Sequence, residues 1–242
     1  MIVLLPGQAS DHTVWDHSGA PLKHYRMGFF HFSNNNLAIR KTCAQEVGQY
    51  DARATKSEDV DVCFRVARSP QWIALREKGS FVRHKARKSF LAFVKQMWGW
   101  GYHVGYPYAK TNIKGIYLYW LSSKDHRIKF DLEIERFPLL VCMFWTDFHL
   151  AHIFLGGALL VGVLGHLWLA WLGVLVASVF FWRSLHDDRQ VQLGVWRRCQ
   201  IAAVHYLANV VFITATLLGA LRHGVILLPS SIFRPHGPEE DR

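Results

Sequence analysis

Apolar residues are distributed unevenly along the 242-residue chain. Residues 1–149 mix charged, polar and apolar side chains, as water-soluble domains do. Residues 150–228, in contrast, are dominated by Leu, Val, Ala, Gly, Phe and Trp. Apolar stretches of that length are typical of membrane helices. The pattern therefore predicts a soluble domain followed by a helical membrane anchor.

The predicted anchor contains two apolar runs. The first, residues 150–182, has about 33 residues and would form a helix of roughly 50 Å, too long for one untilted span. Gly165-His166 lies near its middle, so we expect a tight turn there between two shorter helices. The second run covers residues 200–221. Basic residues at 183–198 separate the runs, and the positive-inside rule places them in the cytoplasm.

Helix signals recur in the soluble part. A short helix is expected to begin near Thr42 and to stop at Gly48, and Ser57 and Ser89 are expected to cap two further helices. Residues 72–75 are typical of a strand. Apolar residues at helical spacing predict the buried sides of two helices: Val60, Cys63, Phe64 and Ala67 in the second, and Phe90, Phe93, Val94, Met97 and Trp100 in the third.

Two other regions have distinctive compositions. Residues 101–149 mix Tyr and Trp with Lys and Arg, which favours the boundary between water and lipid. We therefore expect interfacial helices there, with residues 106–149 as an interfacial amphipathic region; an ordinary soluble subdomain is the alternative. The charged residues 229–242 are expected to be a disordered tail.

The net charge of +10 is compatible with an anionic membrane surface or with nucleic acid. The basic residues cluster around the apolar runs and no nucleic-acid motif accompanies them, which favours the membrane. The four cysteines show no paired spacing. Free thiols in a reducing compartment are therefore expected.

Four motifs follow one another in the soluble part: Ser33–Lys41 with its three Asn, Glu46–Asp51, Ser57–Arg65, and Val82-Arg83-His84. This succession resembles the second half of a family-2 glycosyltransferase of the GT-A fold, and the resemblance covers about residues 30–105. It implies a partial α/β domain of the GT-A type over residues 1–105, its acceptor-side half. An all-α membrane anchor of two or three transmembrane or re-entrant helices would follow over residues 150–228.

The resemblance assigns chemistry to Glu58 and Asp59. Taken alone, acidic residues at a helix start are ordinary capping. In the family's motif, Asp59 would be the general base that takes the proton of the acceptor hydroxyl, and Glu58 would orient the site or contact the acceptor. Asn35 would also bind the acceptor. Asp61 is expected to face solvent or an Arg partner.

Gln96-Met97-Trp98-Gly99-Trp100 resembles the family's Gln-x-x-Arg-Trp motif. The resemblance implies that Trp98 and Trp100 pack against the acceptor sugar and that Gln96, with Arg83 and His84, holds the diphosphate. Gly99 stands where the motif has Arg, so one cation is missing from its usual place. Packing in a core or an interface is the alternative role of the two tryptophans.

The family's nucleotide-binding half carries an Asp-x-Asp that holds a divalent cation, Mg²⁺ or Mn²⁺. No Asp-x-Asp precedes Asn34 in this chain, and the single one present, Asp59-Val60-Asp61, overlaps the base motif. No metal ligand is therefore predicted. We expect a truncated form of such an enzyme, a gene-model fragment, or one piece of a split enzyme.

The resemblance implies inverting transfer from a nucleotide-sugar to a lipid-linked or polysaccharide acceptor. The enzyme would be a multi-pass protein of the cell inner membrane with its catalytic part in the cytoplasm. One alternative is a non-catalytic membrane subunit that needs a partner chain carrying the nucleotide-binding half. A small transporter is another, since His166, His205 and Asn209 are polar groups in apolar runs.

Overall fold

The structure is a computed structural model. It describes residues 4–6, 14–15, 21–22, 37–67, 69, 71–74, 89–121, 128–185 and 194–230. The chain divides into two compact units: unit 1 comprises residues 1–113 with 218–225, and unit 2 comprises residues 114–217 with 226–242.

Unit 1 combines short paired strands with three helices. Strand β1 (Leu4–Pro6) pairs antiparallel with β4 (Trp72–Ala74), and β2 (Val14–Trp15) pairs antiparallel with β3 (Pro21–Leu22). The helices are α1 (Lys41–Glu46), α2 (Glu58–Ala67) and α3 (Phe90–Lys110). The helices predicted after Ser57 and Ser89, the short helix ending at Gly48 and the strand at 72–75 are thus confirmed.

Local sequence explains where α1 ends and α3 begins. Gly48 follows α1 with φ +89°, and the backbone N–H of Gln49 donates to the carbonyl of Ala44 at 2.6 Å. This left-handed glycine closes the helix, as a Cβ would strain that conformation. At the start of α3, the Ser89 Oγ accepts from the Ala92 N–H at 3.2 Å, which is the predicted N-cap.

The buried side of α3 differs from the predicted one. Phe90 and Trp100 are 56% and 43% exposed, whereas Met97 is 2% exposed. The buried residues of this 21-residue helix are Met97, Gly99, Gly101, Gly105, Pro107 and Tyr108. Small residues let another backbone approach closely: a Cβ on Gly105 would lie 2.5 Å from the Ala220 Cα. The close approach of the Ala220 backbone therefore determines which face of α3 is buried. A periodic pattern of large apolar residues does not indicate such an approach.

Helix α2 packs its apolar side into the core of unit 1. Val60, Cys63 and Phe64 are buried, as the helical spacing predicts. The Phe64 ring meets the Tyr108 ring of α3 edge-on, with 5.5 Å between the centroids. Aromatic pairs of this geometry add a modest attraction to the burial itself. The contact fixes α2 against the second half of α3.

Unit 2 contains a mixed four-stranded sheet. Its strands are β5 (Gly115–Leu121), β6 (Ile128–Ile134), β7 (Leu140–Trp145) and β8 (Val225–Leu228, of which Val225 is assigned to unit 1). The order is β6-β5-β7-β8, with β5 antiparallel to β6 and parallel to β7. The interfacial helices expected at 101–149 are therefore wrong for Gly115–Leu121, Ile128–Ile134 and Leu140–Trp145, which form strands. Alternate residues Tyr117, Tyr119 and Leu121 are buried, which is the period of a strand.

The first apolar run forms a helical hairpin, as predicted. Helix α4 (Asp147–Val163) and helix α5 (Leu167–Leu185) are joined at Gly165, whose φ is +86°. The N–H of Gly165 donates to the Gly162 carbonyl at 3.0 Å, and the N–H of His166 donates to the Val161 carbonyl at 3.1 Å. These two bonds form the helix-ending motif for which a left-handed glycine is preferred.

The second apolar run lies in helix α6 (Val195–Arg222). Among the described helices it alone is long and apolar enough to cross a membrane, with 28 residues and a mean hydropathy of 1.9 over its best 18-residue window. Helices α4 and α5 are apolar but shorter. The chain thus combines a mixed sheet and helices with a long apolar helix near its C-terminal end.

Candidate functional site

The predicted acid pair lies at the N-terminus of α2. Glu58 and Asp59 are half-buried, and the Asp59 Oδ1 accepts from the Val60 N–H at 2.9 Å. Ser57 occupies the predicted cap position, and its carbonyl accepts from the Asp61 N–H at 2.9 Å. Its buried hydroxyl, however, makes no hydrogen bond within the described part of the chain. The expected side-chain cap is therefore wrong, and the carboxylates supply the negative charge that a helix N-terminus favours.

Tyr50 lies beside this acid pair. Burial raises the pKa of the Tyr50 phenol, and the charges of Cys63, Asp59 and Glu58 raise it further. The ring is nonetheless 51% exposed. Tyr50 is therefore a partly exposed neighbour of the half-buried Glu58 and Asp59.

Asp61 is buried and paired, not exposed to solvent. Its side chain is 3% exposed, and its Oδ2 accepts from the Arg65 Nη2 at 2.8 Å and the Arg65 Nε at 3.1 Å. The Lys110 Nζ of α3 lies 3.2 Å from Oδ1. Arg65 also donates to the carbonyls of Val47 and Gln49. The expected Arg partner is thus confirmed, and Asp61 joins α2 to α3 and to the end of α1.

Lys110 connects Asp61 to a second carboxylate, that of Asp51. The Asp51 Oδ2 accepts from the Lys110 Nζ at 2.9 Å, the Tyr106 hydroxyl at 2.9 Å and the Arg53 Nη2 at 3.0 Å. The hydrogen bonds from Arg53 and Lys110 hold the Asp51 pKa well below its usual value. Burial opposes the charge of Lys110, but its bonds to Asp51 and Asp61 raise its pKa overall.

We refer to Asp51, Arg53, Asp61, Arg65, Tyr106 and Lys110 as the carboxylate network. An open cleft of about 410 Å³ lies beside it, and Glu46, Phe64, Arg65, Pro107 and Lys110 are among the residues that line it. Asp59 does not line this cleft. The network therefore fixes the two helices, whereas the predicted base lies outside the cleft at the start of α2.

The predicted acceptor residues lie on α3. Trp98 and Trp100 are each 43% exposed, and Gln96 is half-buried. Side chains two residues apart on a helix point about 200° apart, whereas those four apart share a face. Gln96 and Trp100 therefore lie on one face of α3 and Trp98 lies on another.

Lys56 lies across Gly99, between the two tryptophans. A Cβ built on Gly99 would be 2.7 Å from the Lys56 Nζ. Lys56 has φ +61°, a left-handed conformation that is uncommon for residues other than glycine. The Lys56 ammonium thus lies over Gly99, the position at which the resemblance implies an Arg.

Three predicted residues, Asn35, Arg83 and His84, lie outside the described residues. Over the described ranges no three His, Cys, Asp or Glu side chains converge. Within Asp59-Val60-Asp61, the Asp61 carboxylate forms ion pairs with Arg65 and Lys110.

Sequence reasoning missed Asp51, Tyr106 and Lys110, which the structure brings together, and Lys56, which lies at Gly99 instead. Lys110 was expected at a membrane surface because it precedes the apolar runs, but it neutralises two carboxylates instead. One signal was visible, since Asp61 and Arg65 are four apart on a predicted helix. The contacts to α3 bridge 49 and 55 positions, and no local pattern indicates them.

Comparison of the chain with protein-family models, curated proteins and solved structures finds no match. Function therefore has to be argued from the geometry of α2 and α3 and from the resemblance of their motifs.

Proposed function

We propose that this chain is the acceptor-side and membrane-anchoring part of an inverting glycosyltransferase of the family-2 type. It would use a nucleotide-sugar donor and a lipid-linked or polysaccharide acceptor. Asp59 is the general base of the proposed reaction, and Glu58 orients the acceptor. The residue roles below involve only the chain's own groups.

The observation that carries the proposal is the fixed position of the α2 N-terminus. The buried contacts of Asp61 with Arg65 and Lys110 tie α2 to α3, and the Phe64–Tyr108 ring pair supports the same junction. Asp59 is therefore held on the same pair of helices as Gln96 and Trp100. Holding reacting groups in a fixed geometry is a large part of the catalytic effect of an enzyme.

A carboxylate at this position suits the chemistry of inverting transfer. The acceptor hydroxyl oxygen forms a bond to the anomeric carbon while the bond from that carbon to the diphosphate oxygen breaks. The electron pair leaves with the nucleoside diphosphate, and the hydroxyl proton passes to the Asp59 carboxylate. The positive end of the α2 dipole favours the ionised form that accepts the proton.

One face of α3 suits the rest of the acceptor site. Trp100 offers a partly exposed ring on which an acceptor sugar can stack. Gln96 on the same face offers an amide that can donate hydrogen bonds to the diphosphate, the role that the resemblance implies. Trp98 points to another side, so within this site the acceptor role rests on Trp100. Asn35, Arg83 and His84 keep the acceptor and diphosphate roles that the resemblance implies.

In this proposal the chain is a multi-pass protein of the cell inner membrane, and its exposed apolar side chains would contact lipid. Leu160, Trp171 and Leu175 of the α4–α5 hairpin are 62–73% exposed. Large exposed apolar surfaces mark contacts with lipid or with other proteins. The hairpin and α6 would cross the membrane, and the basic residues at 183–198 would lie in the cytoplasm with unit 1.

Strand β6 supports a membrane-surface location for residues 106–149. Phe130, Leu132 and Ile134 lie on one face of this edge strand and are 41–55% exposed, while Asp131 and Glu133 lie on the other. An apolar face opposite an acidic one suits the boundary between lipid and water.

Transfer of labelled sugar tests the proposal. Membranes from the source cells are incubated with labelled nucleotide-sugars, and label in lipid and polysaccharide is counted. We expect Asp59→Asn to lower the transfer that depends on this chain by about 10²–10⁴-fold, the usual contribution of a general base. Asp131→Asn, an exposed aspartate of β6, is the matched control and should leave the rate unchanged. An unchanged rate in Asp59→Asn would refute the assignment.

A further inference from the structure

A second group of basic side chains gathers around His103 on α3. His103 lies one helical turn beyond Gly99, over which the Lys56 ammonium is placed. The Tyr102 and His103 rings meet edge-on with 5.6 Å between their centroids. Because Arg222 contacts Tyr102, three basic residues from separate parts of the sequence converge on one turn of α3.

Arg222 is held by a tyrosine and not by an acid. Its Nη1 donates to the Tyr102 hydroxyl at 3.1 Å, and its guanidinium carbon lies 6.0 Å from the centre of the same ring. Tyr102 and Arg222 both belong to unit 1, in which the end of α6 packs on α3. The guanidinium is exposed and keeps most of its five N–H donors for another partner.

Among the residues that the structure describes, no acid neutralises this group. Over the described residues, the ion pairs of unit 1 all belong to Asp51 and Asp61, and none includes Lys56 or Arg222. The two regions of α3 therefore differ: around Lys110 the cations meet carboxylates, whereas around His103 they meet no carboxylate of the described part of the chain. Gathered cations without acidic partners repel one another and favour an anion between them.

The backbone at Lys56 supports a functional role for its side chain. A non-glycine residue at φ +61° is strained, and strained residues persist where the surroundings determine them. The absence of a Cβ on Gly99 leaves the space that the ammonium occupies. Both features place one positive charge at a fixed point on α3.

We propose that Lys56, His103 and Arg222 form a binding site for a phosphate or diphosphate group. Lysine contributes a point charge, and arginine presents paired N–H groups that match phosphate oxygens. The group can come from a soluble diphosphate or from a phospholipid headgroup, because the chemistry recognised is the same. Neither source requires sugar transfer, so the site can exist even if the proposed reaction does not.

The titration of His103 agrees with this geometry. Burial lowers the pKa of His103, and the charges of Lys56, Arg222 and His223 lower it further. A bound phosphate would reverse those charge effects and raise the pKa. Binding should therefore tighten as the pH falls and His103 gains its proton.

Nuclear magnetic resonance of the histidine rings tests the site on the full chain in detergent micelles. The two probes are pyrophosphate and a short-chain phosphatidic acid, each titrated without any nucleotide-sugar. We expect at least one probe to shift the His103 signal saturably and to move its titration midpoint to higher pH. Response to pyrophosphate identifies a soluble ligand, and response to phosphatidic acid alone identifies a lipid headgroup.

Three substitutions decide whether the named residues are responsible. Lys56→Gln and Arg222→Gln should each weaken binding about tenfold or more, as loss of a charged hydrogen bond does. Gly99→Ala should weaken it without changing any charge, because the new Cβ displaces the ammonium. Lys41→Gln removes an exposed charge elsewhere in unit 1 and should have no effect. The proposal is overturned if neither probe moves the His103 signal, or if Lys56→Gln binds as tightly as the wild type.

Discussion

The α2–α3 junction of unit 1 and the α4–α5 hairpin of unit 2 differ in how they place polar and apolar groups. Unit 1 buries Asp61, neutralises it with Arg65 and Lys110, and joins Asp51 to the same network. Unit 2 leaves large apolar side chains of the α4–α5 hairpin open, with Val163 85% and Trp171 73% exposed. The first arrangement suits a protein surrounded by water, and the second suits one that contacts lipid.

The comparison shows what each unit contributes. Buried ion pairs add little net stability compared with apolar packing, but removing one partner is costly. Their consequence in unit 1 is geometric, since they fix α2 against α3 and so position Asp59. The exposed side chains of unit 2 have no comparable internal role. They are the surface through which the hairpin would lie in a membrane.

The largest expected effect comes from breaking the carboxylate network. Asp61→Asn leaves Arg65 and Lys110 without their buried carboxylate, which should lower the free energy of unfolding by about 3–5 kcal/mol. Thermal unfolding of the full chain in detergent, followed by tryptophan fluorescence, measures the loss. Asp131→Asn, on the exposed strand β6, should change little. Equal stability of the two variants would mean that Asp61 does not hold the helices together.

A smaller effect is expected in the hairpin. Leu175 is 63% exposed near the middle of α5. If it faces lipid, Leu175→Arg should cost about 2.5–3.5 kcal/mol of insertion free energy. Leu91→Arg is the matched control, because Leu91 is 62% exposed in unit 1 and should tolerate the charge. Carbonate extraction of membranes measures retention of the chain. Full retention of Leu175→Arg would show that α5 does not lie in lipid.

The smallest expected effect is on the melting temperature at acidic pH. The pKa of Asp51 lies below its ordinary 3.8 in the folded chain, so the unfolded chain binds the proton more readily. The stabilisation by Asp51 is therefore present above about pH 4 and is lost as the pH falls through the folded value. We expect the melting temperature of the wild type to fall more steeply below about pH 4 than that of Asp51→Asn. Parallel curves would contradict the role of Asp51 in the network.

Features fixed by neighbours in sequence were predictable. The Ser89 side chain caps the start of α3, and Gly165 ends α4 in a left-handed conformation. Both residues lie within a few positions of the helix end that they define. The apolar spacing of Val60, Cys63 and Phe64 likewise identified the buried side of α2.

Features that depend on distant residues were not predictable. Strand β5 was expected to be helical because Tyr and Trp mixed with Lys and Arg favour the water–lipid boundary, and its pairing with β6 and β7 shows that it is a strand. Lys110 and Lys56 are ordinary basic residues in the sequence. Only packing of α3 places one between two carboxylates and the other over Gly99.

The central claim is that Asp59 reacts while Asp61, two residues away, holds the site. The most direct measurement is sugar transfer and melting temperature on the same two variants, Asp59→Asn and Asp61→Asn, in membranes and in detergent. Asp59→Asn should lose sugar transfer and keep the melting temperature of the wild type. The main effect of Asp61→Asn should instead be a lower melting temperature. The account is contradicted if Asp59→Asn transfers sugar normally, or if it loses transfer only in proportion to lost stability.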